Sequence, residues 1–293
     1  MTAPHPVRGA LLCVAALLLF ACMDSTTKYL AATHEVPLIV AVRYLGNLLL
    51  MIVAFAPHHK LEMVRTQRTG LVLVRALSLA FASLLIGLAL QLMPVAQVTA
   101  ITFLAPILLV AIAGPLLGER VGWIGWLATL GGFAGVMLIV RPGSGLPFSG
   151  VAFVLCAVVC NLVYQALSRV LATTEKTAAL LFYTALVGSI LFSLGLPWYL
   201  ENAAPSWFEV LLFASLGIYG GLGHFMFTAA FRYAPASLIA PLNYLQLLWA
   251  GLLGWLVFGD VPDGVTILGM LIVALSGAMI ALKTRRPAEK RTA

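Results

Sequence analysis

The sequence predicts an all-α integral membrane protein of ten transmembrane helices, arranged as two inverted five-helix repeats with both termini in the cytoplasm. Composition, ten long apolar runs and an alignment of the chain with itself support this prediction. Of the 293 residues, 62% are hydrophobic and 9% are charged, whereas a soluble domain has about 25% charged residues. Water-soluble cores cannot hide this much apolar surface, so most of these side chains must face lipid or other helices.

Ten apolar runs are long enough to cross a bilayer, since each transmembrane helix needs about 20 residues. Breaks such as Ala56-Pro57, Met93-Pro94 and Gly259-Asp260 end the runs, because proline lacks an N–H and glycine adopts positive φ. No break is long enough to contain a soluble domain. The predicted spans are 7–31, 37–55, 71–92, 97–117, 123–140, 149–168, 178–200, 207–230, 237–257 and 265–282.

The positions of the basic residues predict the orientation, since cytoplasmic loops carry an excess of Lys and Arg. With the N-terminus inside, fourteen of the 17 Lys and Arg residues lie on the cytoplasmic side, Arg75 among them. Arg141 lies outside, and Lys28 and Arg43 remain within spans. The predicted organisation is a first repeat at 1–145, a second at 146–283 and a cytoplasmic basic tail at 284–293.

The two halves align when the chain is shifted by 141 residues. The aligned pairs include Pro94 with Pro235, Gly118 with Gly259, Glu119 with Asp260 and Lys28 with Arg169. Because each half has an odd number of spans, the second half enters the membrane from the opposite face. Inverted repeats are common in secondary transporters, whose substrate sites lie between the repeats near the membrane midplane.

Three ionisable side chains within the spans form a predicted intramembrane ion cluster: Asp24, Lys28 and Arg43. A charge inside a membrane is costly, so each residue is a candidate for function. One interpretation is an Asp24–Arg43 pair that fixes the first two helices, with Lys28 reaching outward to the interface. The other is a role for Asp24 or Arg43 in binding substrate or protons.

Two repeat-related helices carry semi-polar faces that are predicted to line a substrate cavity. Helix–helix hydrogen bonding is the alternative role for these faces. His224, on the eighth span, either accepts a proton during transport or packs as a neutral ring. The predicted substrate-binding residues are Thr99, Thr102, Phe103, His224, Asn243, Tyr244, Gln246 and Trp249.

Several other functions are disfavoured by the sequence. The motifs of intramembrane enzymes are not present, so no catalytic residue, metal or cofactor is expected. No ring of charges or filter segment indicates a channel, and no nucleotide-binding loop would allow the chain to use ATP directly. The net charge of +7 is not gathered on one face, which disfavours nucleic acid as a partner.

Three motifs recur in both halves. Pro94-Val95-Ala96 leads into a span, Leu116-Leu117-Gly118-Glu119 closes it, and Gly131-Gly132-x-x-Gly135 follows. Ala234-Pro235-Ala236, Phe258-Gly259-Asp260 and Ser276-Gly277 repeat them. These motifs resemble the EamA domain of the drug/metabolite transporter superfamily, and within it the aromatic amino-acid exporters.

The resemblance implies a multi-pass protein of the bacterial inner membrane that works by alternating access through a central cavity. It also implies export of aromatic and other neutral amino acids, which agrees with aromatic surface beside neutral polar groups on the predicted cavity faces. The alternative substrate is another small metabolite, such as a nucleoside, a flavin or a drug-like cation. Proton coupling and the choice between monomer and homodimer remain open.

Overall fold

The computed structural model describes residues 6–105, 107–109, 123–141, 145–171, 174–199, 205–233 and 242–284. Every regular element within these ranges is helical, which confirms the all-α prediction. A single helical turn, Leu196–Tyr199, accompanies ten longer helices. They are α1 (Pro6–Leu30), α2 (Val36–Val64), α3 (Thr69–Leu92), α4 (Val95–Thr102), α5 (Trp123–Val140), α6 (Phe148–Leu171), α7 (Thr177–Ser193), α8 (Trp207–Tyr233), α9 (Leu245–Phe258) and α10 (Gly264–Thr284).

The outer surface of the bundle is apolar. At least half of the surface is exposed in large hydrophobic side chains such as Trp126, Phe133 and Leu256. Five helices, α1, α2, α3, α6 and α8, contain apolar stretches of at least 18 residues with few charges. Helices satisfy their own backbone groups, so such a surface suits a bilayer and not water.

The helices pair in a pattern that is symmetric under exchange of the two halves. α1 packs along α8, and the equivalent helices α6 and α3 pack along each other. Three helices pair with their own repeat equivalents: α2 with α7, α4 with α9, and α5 with α10. The two halves therefore interlock, and the interface between them runs through the middle of the bundle.

Glycines make the closest crossings between these helices possible. A Cβ added to Gly217 on α8 would lie 2.8 Å from the Cα of Gly46 on α2. A Cβ on Gly135 of α5 would lie 2.8 Å from the carbonyl oxygen of Gly269 on α10. Such contacts allow no side chain at these positions, so both crossings depend on glycine.

Some predicted span boundaries differ from the structure. The predicted end at Ala56-Pro57 is wrong, because α2 continues to Val64; one proline removes a single donor, which a membrane helix tolerates. The fourth span is interrupted after Thr102, and α7 ends at Ser193 rather than near residue 200. The breaks at Met93-Pro94 and Gly259 are present, with Gly259 at φ 71°.

Arg75 is not a loop residue, although the orientation analysis placed it among the cytoplasmic charges. It lies in the second turn of α3 with 4% of its surface exposed. Its guanidinium donates hydrogen bonds to neutral acceptors on α6 and α7: Ser168 Oγ, Tyr164 OH, Leu180 O and Thr184 Oγ1. These bonds offset the cost of burying the cation.

Candidate functional site

The two central helices, α4 and α9, are interrupted at equivalent positions. α4 ends at Thr102 and the chain turns at Phe103, while a turn at Asn243 and Tyr244 precedes the start of α9. Phe103 and Tyr244 are repeat equivalents, and their ring centroids lie 5.1 Å apart. Broken helices at the interface between repeats are typical of substrate sites in transporters. The two breaks therefore mark the centre of the candidate site.

Asp24 lies deep in the bundle beside this centre. Its side chain is enclosed by protein yet remains partly accessible, which is expected of a group that lines an internal cavity. The side-chain amide of Gln246 and the guanidinium of Arg43 are the groups that act on the carboxylate. Among the described residues, no cation lies within ion-pair distance of Asp24. The described residues thus show no direct Asp24–Arg43 ion pair, although Arg43 acts electrostatically on the Asp24 carboxylate.

Arg43 is 7% exposed and makes few polar contacts with the protein. Within the described residues its guanidinium reaches Met23 Sδ at 4.0 Å and the side chain of Tyr44, whose ring centre lies 5.4 Å from Cζ. A guanidinium has five N–H donors. The described residues therefore leave several of the Arg43 donors available to a molecule in the cavity.

An aromatic wall formed by α1, α8 and α9 lies next to these charges. Trp249, Phe20 and Phe227 pack against the same small cluster of buried residues. The buried indole Nε1 of Trp249 has no hydrogen-bond partner in the described part of the chain. The His224 ring lies 4.9 Å from the Phe20 ring and within electrostatic reach of Arg43. Two of the predicted residues are thus placed by contacts: His224 lies beside Phe20 of α1, and Gln246, one turn before Trp249 on α9, lies beside Asp24.

The remaining predicted cavity residues lie on the α4–α9 side. Thr99 is buried, and Thr102 donates a hydrogen bond through Oγ1 to the Val98 carbonyl oxygen at 2.8 Å. Asn243 Oδ1 accepts a long contact from Cys13 Sγ at 3.9 Å. These groups flank the Phe103–Tyr244 contact. The fourth-span residue Pro106 lies outside the described residues.

Lys28 is not part of a cluster with Asp24 and Arg43. Its ammonium pairs with Asp260 at 2.8 Å, because α1 leaves the bundle beside the end of α9. The helix that follows Asp260 is capped by Asp263, whose Oδ1 accepts the Thr266 backbone N–H at 2.8 Å. An acceptor placed this way satisfies a free donor at a helix start. Glu119, the repeat equivalent of Asp260, lies outside the described residues.

One polar contact and one buried polar group near the site add to the predicted residues. Tyr44 OH and Ser83 Oγ lie 2.9 Å apart and link α2 to α3. Asn47, one turn after Arg43 on α2, has a buried Oδ1 without a hydrogen-bond partner in the described residues. Its spacing from Arg43 was the available signal, since residues four apart share a helix face. The described residues hold no group of three or more His, Cys, Asp or Glu side chains placed for a metal ion.

Known proteins resemble this chain along most of its length. A riboflavin transporter of Vibrio cholerae is 30% identical over 94% of this chain and 93% of its own. An S-adenosylmethionine uptake transporter of Rickettsia prowazekii is 24% identical over 85% of this chain and 84% of its own. A pseudopaline exporter of Pseudomonas aeruginosa is 27% identical over 94% of this chain and 95% of its own. These relatives are not aromatic amino-acid exporters, so the expected likeness to that group is not supported.

A solved structure resembles the fold, and a family model matches each of the two repeats. A solved crystal structure superposes with a TM-score of 0.68 over 97% of this chain and 99% of its own, at 21% identity, which shows the fold. The model of the EamA-like transporter family matches residues 7–141 and again residues 148–282. The two matches start 141 residues apart, the offset at which the halves align. The chain therefore belongs to the EamA-like transporter family and is a multi-pass membrane transporter with two repeats.

Proposed function

We propose that this transporter carries a planar, carbonyl-rich heteroaromatic metabolite of the flavin type across the bacterial inner membrane. The two inverted halves, residues 1–145 and 146–283, provide alternating access, and both termini are cytoplasmic. The observation that carries the proposal is the buried Arg43 guanidinium, for which the described residues supply only Met23 Sδ at 4.0 Å and the Tyr44 side chain as partners. Burying a cation without partners costs several kcal/mol, so its retention is explained when a ligand accepts these hydrogen bonds.

The other groups at the site suit the same ligand. A flavin ring offers two carbonyl oxygens and an imide N–H, and flat aromatic rings stack favourably on aromatic side chains. Trp249 supplies both an aromatic face and an indole N–H donor that has no acceptor among the described residues. The Gln246 amide supplies a donor and an acceptor. Similarity to two riboflavin transporters, at 30% and 28% identity, supports this substrate class.

A second candidate substrate is S-adenosylmethionine, a sulfonium cation with a purine ring. The observation that favours it is Asp24, whose carboxylate has no ion-pair partner among the described side chains. A buried carboxylate attracts a cationic ligand. The similarity to S-adenosylmethionine uptake transporters agrees with this candidate.

Counterflow in proteoliposomes containing only this protein tests the proposal. Vesicles loaded with riboflavin should accumulate labelled riboflavin from outside, with saturation, and S-adenosylmethionine and phenylalanine serve as competitors. Trp249→Phe keeps the aromatic face but loses one hydrogen bond, worth about 0.5–1.5 kcal/mol. We expect KM for riboflavin to rise about two- to tenfold. Leu248→Ile, on the exposed face of α9, is the matched control and should leave KM unchanged.

The substitution Asp24→Asn distinguishes the two candidate substrates. Removing the carboxylate should abolish S-adenosylmethionine counterflow and leave riboflavin counterflow largely intact, because riboflavin carries no positive charge. Counterflow of phenylalanine without competition from riboflavin would overturn both candidates and restore the amino-acid prediction. The same assay, run from either side of the membrane, gives the direction of flux.

A further inference from the structure

An ion pair joins the two halves of the protein at one end of the bundle. Lys28 Nζ lies 2.8 Å from Asp260 Oδ2 and donates a second hydrogen bond to the Met93 carbonyl oxygen at 3.2 Å. The ammonium also lies 4.8 Å from the centre of the Phe258 ring. The side chains of Lys28 and Asp260 are 17% and 29% exposed. Solvent and salt therefore screen their attraction less than that of a fully exposed pair.

Local backbone structure places each partner. Gly259 has positive φ, its N–H donates to the Trp255 carbonyl oxygen, and the Asp260 N–H donates to the Gly254 carbonyl oxygen at 3.1 Å. This pattern of bonds ends a helix and reverses the chain, which directs Asp260 toward α1. Met93 lies at the break between α3 and α4. The pair therefore connects the last turn of α1 with the ends of α3 and α9.

A cavity of about 210 Å³ adjoins the pair, between the start of α4 and the end of α9. We name it the end cavity; its lining residues are Pro94, Ala96, Gln97, Gly254, Gly259, Asp260, Val261 and Pro262. Gln97 is 8% exposed, and its Oε1 has no hydrogen-bond partner in the described residues. Buried polar atoms rarely lack a partner. An unpartnered amide oxygen at a cavity wall indicates that polar molecules enter this space.

Each half of the sequence has a residue of the same charge at the positions equivalent to Lys28 and Asp260. The 141-residue offset aligns Lys28 with Arg169, both basic, and Asp260 with Glu119, both acidic. Glu119 and the Arg169 side chain lie outside the part of the chain that the structure describes. In a carrier built from two repeats, the halves exchange conformations during transport. Charges present at equivalent positions of both halves are therefore expected of groups that take part in this exchange.

We propose that the Lys28–Asp260 pair is a gate that holds this end of the transport pathway closed, and that the end cavity is the segment of the pathway just inside it. The pair must separate before a substrate can leave or enter through the end cavity. The inference goes beyond the proposed function, because it assigns a closing contact and a passage rather than a substrate.

Thiol labelling of the end cavity tests the gate. Ala96, which lines the cavity and is 3% exposed, is changed to cysteine in a full-length chain whose four native cysteines are replaced by serine. Whole cells are treated with a membrane-impermeant maleimide, and inverted vesicles are treated separately. The labelling rate is compared among the unchanged pair, Lys28→Gln, Asp260→Asn, their combination, and the exchanged pair Lys28→Asp with Asp260→Lys.

Either single substitution should accelerate labelling about tenfold, which corresponds to about 1.4 kcal/mol. The combination should be no faster than either single variant, because both remove the same contact, and the exchanged pair should return toward the original rate. Arg141→Gln is the matched control: it breaks the neighbouring Arg141–Asp263 ion pair, which also joins the halves but is more exposed and does not line the end cavity. This control should label at the original rate.

Unchanged labelling in both single variants, or additive acceleration in the combination, would overturn the gate. Retention on size-exclusion chromatography identifies any variant that fails to fold, and Asp260→Asn provides a second variant if Lys28→Gln does not accumulate. Acceleration only in inverted vesicles would support the gate but refute the proposed orientation. Because no substrate is needed, a failed flavin assay leaves this test unaffected.

Discussion

Replacing Arg75 with lysine tests whether the network between α3, α6 and α7 holds the two halves together. The guanidinium donates through Nε to Ser168 Oγ at 2.7 Å, through Nη2 to Tyr164 OH at 3.0 Å and through Nη1 to Thr184 Oγ1 at 3.0 Å. A fourth bond reaches the Leu180 carbonyl oxygen at 3.2 Å. The acceptors surround a planar fork, whose geometry a single ammonium group cannot reproduce.

The expected loss follows from these contacts. Lysine has three donors on one nitrogen and is expected to keep about two of the four bonds. Each lost bond to a charged group is worth about 1.5–3 kcal/mol, so the loss of two bonds should destabilise the protein by about 3–6 kcal/mol. For a chain of this size that lowers the melting temperature by roughly 6–12 °C, at about 2 °C per kcal/mol. Thermal unfolding in detergent, followed by size-exclusion fluorescence, measures the shift.

Arg68→Lys is the matched control, because Arg68 precedes the same helix but its side chain is exposed. Exposed arginines contribute little to stability, so this variant should melt within about 1 °C of the original protein. Equal shifts for Arg75→Lys and Arg68→Lys would show that the buried network does not stabilise the fold. A large shift for Arg75→Met but not for Arg75→Lys would show that charge matters and the fork does not.

Three other predictions follow from the helix contacts and the charges. Gly217→Ala places a Cβ 2.8 Å from a backbone atom of α2 and should cost about 1–3 kcal/mol in melting experiments, whereas Gly251→Ala on α9, with open space around it, should not destabilise. Arg43→Gln should lower riboflavin transport less in an Asp24→Asn background than in the unchanged protein, because each charge acts on the other; an equal loss in both backgrounds would show that the two residues are independent. A cysteine at Arg141 should react with an impermeant maleimide in whole cells, and reaction only in inverted vesicles would reverse the orientation.

The fold was largely predictable, because its signals are local. Apolar runs, prolines and glycines define where helices begin and end, and the breaks at Met93-Pro94 and Gly259 are visible in the sequence alone. The interruption at Phe103 was not predicted. Pro106 was the available signal, because a proline lacks the N–H that would bond to the carbonyl oxygen four residues earlier, that of Thr102. The contact of Phe103 with its repeat equivalent Tyr244, at 5.1 Å, has no such signal in the sequence.

The partners of the charged residues were harder to predict. Lys28 and Asp24 are four residues apart on one helix, which suggests a shared environment, but Lys28 pairs with Asp260, 232 residues away. Arg75 likewise bonds to acceptors 89 to 109 residues away. Such contacts depend on how helices from the two halves pack, and one sequence gives no direct signal of that packing. The prediction of an aromatic amino-acid substrate was not supported, for a related reason. The sequence shows which polar and aromatic residues the cavity faces carry, but not how their rings are arranged.

The two buried arginines, Arg43 and Arg75, differ in one respect that separates structural from functional charge. Within the described part of the chain, Arg75 has four hydrogen bonds, whereas Arg43 contacts only Met23 Sδ and Tyr44 and forms no ion pair with Asp24. A buried cation with few partners destabilises the ligand-free protein, and a ligand that supplies acceptors removes that cost.

Arg43→Gln should therefore leave the melting temperature of the ligand-free protein unchanged or raised, while riboflavin counterflow falls at least tenfold. It should also abolish the increase in melting temperature that added riboflavin produces, since only a ligand that binds the folded state raises stability. A fall in melting temperature as large as that of Arg75→Lys, with riboflavin stabilisation retained, would show that Arg43 serves the fold and not the substrate.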